Sequence, residues 1–130
     1  MAQRNLWENA QTENIQIETI NVITGDKFDN RFLYWQLKDS IYRAERIDII
    51  VSFLMESGVK MIIDDLKFAL KKGVAIRILT GNYLGITQPS ALYRIKQELG
   101  EQVDLRFYND KKRSFHPKSY IFHYKNKSEI

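Results

Sequence analysis

The sequence predicts an α/β domain, a three-layer α/β/α arrangement around a mixed, mostly parallel sheet. Two observations carry this. Short β-branched runs alternate with amphipathic segments of helical period, the pattern of right-handed β-α-β units. The last two strand-like runs, by contrast, are joined by a basic loop without a helix, which calls for at least one antiparallel pairing.

Residues 1–14 read as a flexible lead-in, and IQIETINVI (Ile15–Ile23) alternates apolar and polar residues like a half-buried strand. TGDKFDN is a turn, with Asp29 or Asn30 as the helix cap. FLYWQLKDSIYRAE then places Phe32, Leu33, Trp35 or Gln36, Leu37 and Ile41 at helical spacing. IDIIVSF (Ile47–Phe53) is a strand buried on both faces. VKMIIDDLKFALKK (Val59–Lys72) is an amphipathic helix preceded by Ser57-Gly58 and closed by Gly73. VAIRIL (Val74–Leu79) is the next buried strand, TGNYLGITQPS a loop, and SALYRIKQEL (Ser90–Leu99) a helix ending at Gly100. VDLRFY (Val103–Tyr108) and SYIFHY (Ser119–Tyr124) complete the strands.

The 130 residues are enough for one domain with a real core, and composition is that of a globular protein. The absence of cysteine excludes disulfides and thiolate zinc sites and fits a reducing, cytoplasmic setting. No run is apolar and long enough to span a bilayer. Charge is unevenly spread. Residues 1–105 carry 13 Lys and Arg against 14 Asp and Glu, whereas residues 106–130 carry 7 against 2. That basic segment, containing Lys111, Lys112 and Arg113, is where a polyanion such as nucleic acid is drawn; a merely solvated basic loop is the plain alternative.

In open α/β sheets ligands sit beyond the carboxyl ends of the strands. The loops SFLMESG and TGNYLG qualify, with Ser52, Thr80, Gly81 and Asn82 offering hydroxyls and backbone N–H groups to a phosphate. TGNYLG is neither a Walker loop nor a dinucleotide fingerprint, so ordinary turn chemistry stands beside that reading. SFHPKSYIFHY (Ser114–Tyr124) is more pointed. In an extended chain His116 and Lys118 share one face, and Pro117 biases His116 toward that conformation. Imidazole can attack phosphorus or carry a proton, and an ammonium neutralises phosphoryl oxygens. His123 reads as structural or exposed, and two histidines are too few for a metal site.

SFHPKSYIF resembles the HxK motif of the phospholipase D superfamily, whose fuller form is HxKxxxxD followed by a strand with a Gly-Ser/Gly-x-Asn signature. The ordered blocks VSFLMESGV, ILTGNYLGITQPSAL and SFHPKSYIF resemble more narrowly the domain of this type attached to superfamily 2 helicases and restriction-type nucleases. The resemblance spans Phe32 to the end and implies residues 15–130 as a phospholipase D-like domain, truncated before its last strands and continuing in the natural protein. It implies a phosphodiesterase needing no metal or other cofactor, with His116 as the nucleophile forming a phosphohistidine and Lys118 as the phosphate ligand. It further implies nucleic acid as partner, DNA favoured over RNA, a helicase motor with its ATP-binding motifs elsewhere on the same polypeptide, and an active site built from two HxK halves. In that family the two halves come from an internal duplication or a homodimer; this chain shows one half, so the isolated fragment is expected to be a poor catalyst unless it dimerises. His123 stands where the motif has its aspartate. A non-catalytic DNA-binding module with a degenerate site is the alternative reading, and lipid headgroup chemistry is disfavoured because no apolar interfacial segment is evident.

Overall fold

The computed structural model describes residues 33–125 and 128–130. Helix α1 (Leu33–Arg43) leads into strand β1 (Arg46–Val51), then α2 (Glu56–Lys71), β2 (Ala75–Gly81), α3 (Pro89–Leu99), β3 (Val103–Tyr108), β4 (Lys118–His123) and the two-residue β5 (Ser128–Glu129). The strand expected at Ile15–Ile23, the lead-in, Phe32 and the caps Asp29 and Asn30 lie outside the described residues.

The sheet order is β3-β2-β1-β4-β5. Parallel ladders join β1 to β2 and β2 to β3, each through a helical crossover. Strand β4 returns antiparallel against β1, and β5 antiparallel against β4. The expected α/β class and mixed sheet hold, including the antiparallel strand after the helix-free basic loop. Register places Ile47, Ile49 and Val51 of β1 on the same face as Ile76, Ile78, Val103 and Phe122. These residues are buried and form one core with Ile41 and Ala44, Val59, Ile63, Leu66 and Ala69 of α2, and Ala91, Ile95 and Leu99 of α3. All the described helices therefore feed this one face. The opposite face carries no helix among the described residues and displays Asp48, Arg77, Asp104 and Arg106.

Several element boundaries differ from the sequence reading, three of them for identifiable tertiary reasons. Helix α2 starts at Glu56, so Ser57 and Gly58 lie inside it; the Glu56 N–H donates to Gln88 Oε1 at 2.7 Å, a cap supplied from a distant loop. Strand β2 continues through Thr80 and Gly81 because β3 pairs with both. Strand β4 begins at Lys118, which pairs with Val51. At the far end of α2, Gly73 (φ 87°) takes the left-handed conformation, and the Val74 and Gly73 N–H groups close on the Ala69 and Leu70 carbonyls.

Candidate functional site

The carboxyl ends of β1 and β2 and the entry to β4 meet at one edge of the sheet. The Ser52 N–H donates to the Pro117 carbonyl at 2.8 Å, and the Ser52 carbonyl accepts the Tyr83 N–H at 3.2 Å. The Thr87 hydroxyl donates to the Gly81 carbonyl, while Asn82 Oδ1 and Thr87 Oγ1 accept the N–H groups of Thr87 and Leu54. These bonds satisfy backbone groups that the strand ends would otherwise leave open, and they fix both loops under the His-Pro-Lys segment.

On that platform His116 and Lys118 stand side by side and exposed, with Lys118 Nζ 2.8 Å from His116 Nε2. An ammonium has only protons to give, so the imidazole Nε2 accepts and its lone pair faces the cation. The Tyr83 ring lies against the imidazole, centroids 4.3 Å apart, and fixes its plane. One residue earlier, Phe115 stacks on Tyr108 at 4.6 Å and 22° and presses on Gly81, where a Cβ would sit 2.8 Å from the Phe115 ring. Only a residue without a Cβ leaves room for that ring.

The other sequence-derived candidates divide. Ser52 is 1% and Thr80 0% exposed, and Gly81 is buried. These three build the platform, and the Ser52 and Thr80 side chains are closed to solvent. Thr80 Oγ1 finds no hydrogen-bond partner among the described residues. Asn82, Lys111, Lys112 and Arg113 line a cleft of about 370 Å³ between the β2 loop and the β3–β4 loop, next to His116. Sequence reading missed Tyr83, Tyr108, Phe115 and Thr87. The aromatic residues that flank the basic loop were the available signal for Tyr108 and Phe115; nothing local marks Tyr83 or Thr87.

His123 belongs to a different cluster, on the open face of the sheet. Its Nε2 lies 2.8 Å from Asp48 Oδ2, and Arg77 holds the same carboxylate through Nε at 2.6 Å and Nη2 at 2.9 Å. Arg46 Nη2 approaches the imidazole at 3.1 Å. The Arg77 hydrogen bonds outweigh partial burial, and with help from His123 they hold the Asp48 carboxyl down at about 2. The cluster is three residues down β1 from Val51 and on the opposite face, so it supports the strands rather than joining His116. Among the described residues no group of three His, Cys, Asp or Glu side chains is placed to hold a metal ion. No helix is long and apolar enough to cross a membrane among those residues.

No curated protein matches the chain. The family model described as "Cardiolipin synthase, PLD-like domain" matches residues 37–128, which takes in every described element from the middle of α1 to β5. With that coverage, and an HxK pair on a mixed α/β sheet, the chain belongs to the phospholipase D-like domain family.

Proposed function

We propose that the chain is a phosphodiesterase half-site acting on nucleic acid, with His116 as nucleophile and Lys118 as the phosphate ligand. The observation that supports this is the 2.8 Å approach of Lys118 Nζ to His116 Nε2 at the carboxyl edge of the sheet. A phosphodiester entering there exchanges the ammonium's contact with Nε2 for contacts with its own oxygens, which frees the nitrogen lone pair. Nε2 then attacks phosphorus, a P–N bond forms, one P–O bond breaks, and the leaving oxygen takes a proton from a second histidine. Water then attacks the phosphohistidine and gives a proton to that second histidine, restoring it as the acid; the P–N bond breaks, releasing a phosphomonoester and returning neutral imidazole at His116. The chain has one such histidine in the right setting among the described residues, and in this proposal the second is His116 of another copy. The setting of this half-site in a larger helicase or restriction-type polypeptide is part of the same proposal.

The test is cleavage of a labelled oligonucleotide and of a chromogenic phosphodiester in the presence of a chelator. His116→Ala abolishes turnover, and Lys118→Ala lowers it about 100-fold or more, the scale for losing one charged transition-state contact. Undiminished cleavage by His116→Ala would falsify the assignment. A binding module without catalysis gives salt-dependent affinity that survives His116→Ala, with no turnover in either protein.

A further inference from the structure

The cleft beside His116 has a composition that the half-site chemistry alone does not require. Lys111, Lys112 and Arg113 supply three cations along one wall against a single acid, Asp110, whose carboxylate accepts the Lys112 N–H at 2.8 Å. Beside the polar Asn82, Asn109 and Ser114 the lining carries three rings, Tyr83 and the stacked pair Tyr108 and Phe115, all half-buried. At the rim stands Leu84, 78% exposed and held at φ 53°, ψ 24°, in the left-handed region that side chains avoid. An exposed leucine in that conformation contributes nothing to the core, and such strain collects where a side chain is aimed at a ligand.

Cations track a sugar-phosphate backbone, and ring faces accept bases. A duplex keeps its bases stacked on one another, so the rings serve only a strand whose bases are free. From this juxtaposition we propose that the cleft is a stacking subsite for unpaired nucleotides and that the half-site is directed to single-stranded nucleic acid. This rests on the nucleic-acid reading above and narrows it. Tyr83, which touches the His116 imidazole, joins the subsite to the reacting centre, so a base seated there places its neighbouring phosphate toward His116 and Lys118. Tyr108, stacked on Phe115, lines the same cleft, and in this proposal its outer face takes the next base.

The experiment uses the full chain with His116→Ala, so that ligand is not consumed. Fluorescence anisotropy is titrated with a short labelled oligothymidylate, a hairpin duplex of equal length and phosphatidylglycerol vesicles, at several salt concentrations. The single strand binds about tenfold tighter than the duplex. Tyr108→Leu weakens the single strand about fivefold or more, the lower end for losing one stacked base, and leaves the duplex unchanged. Tyr108→Phe keeps the ring and keeps the affinity, which separates stacking from a folding defect. Leu84→Gly weakens the single strand without loss of melting temperature. Replacing Lys111, Lys112 and Arg113 with serine weakens both ligands and flattens the salt dependence. Equal affinity for the two nucleic acids, or indifference of the single strand to Tyr108→Leu, overturns the stacking subsite. If the unmutated chain still cleaves duplex in that event, the phosphodiesterase reading survives alone. Binding of neither nucleic acid, or vesicle binding that Tyr108→Leu abolishes, overturns both.

Discussion

Two residues carry energy that the sequence does not advertise. Leu84 occupies the left-handed region without the freedom of glycine, at a cost of about 1 kcal/mol. Leu84→Gly should therefore raise the thermal midpoint by a few degrees, the shift that about 1 kcal/mol produces in a domain of this size. A lower midpoint, measured by circular dichroism, would show that the leucine packs in a way its 78% exposure denies. Asp48 works in the opposite sense. Its carboxyl, ordinarily near 3.8, is lowered to about 2 by Arg77 and His123. A depressed carboxylate contributes stability that is complete above the unfolded value and is lost as pH falls through the folded one. The cluster is thus worth about 2 kcal/mol near neutrality, and that amount disappears between about pH 4 and pH 2. Asp48→Asn should remove about this much at pH 7 and leave an acid-unfolding curve with a shallower slope in that window. An unchanged curve would mean that Arg77 and His123 find equivalent partners in water.

At the scale of elements, the half-site depends on how two strand ends are joined. Gly81 closes β2, and the Phe115 ring occupies the space a Cβ would take, with the Ser52 carbonyl 3.5 Å away. In Gly81→Ala the ring is the movable partner, so it swings out and draws the His116 backbone with it. The expected result is a loss of kcat/KM of about tenfold with a stability cost of about 1 kcal/mol or less. Equal losses in activity and stability would show that the methyl disturbs the sheet itself. This joint also explains what was legible in the sequence. Helices and strands followed their periods, because Val59, Ile63 and Leu66 or Ile47, Ile49 and Val51 must repeat at the spacing of the face they bury. The His116–Lys118 proximity matches the alternation expected of an extended chain, although His116 itself lies two residues before β4. The Gln88 cap on α2, the Thr87 bridge and the Asp48–His123 contact span 32, 33 and 75 residues of chain, beyond any local pattern. Burial of Ser52 and Thr80 was equally hidden, since a hydroxyl after a buried strand reads the same whether it faces a ligand or the core.

At the scale of the whole molecule, chemistry and chain count pull against each other. Phosphohistidine formation needs a proton donor for the leaving oxygen, and the described residues hold two histidines, His116 at the carboxyl edge and His123 bound to Asp48 on the open face. No rotation of His123 brings it around the sheet while Asp48 and Arg77 hold their register on β1 and β2. We propose that the second histidine is His116 of another copy, which a two-fold arrangement that brings the carboxyl edges together supplies symmetrically. Activity per chain should rise with protein concentration and level off once dimers predominate. Mixing is the sharper test. If each active centre needs His116 from both copies, a pair with one His116→Ala chain is dead. An equimolar mixture then leaves each unmutated chain with about half its activity, the value for random pairing. Activity that stays constant on mixing, at concentrations where sedimentation shows dimers exchanging, would place the proton donor inside one chain.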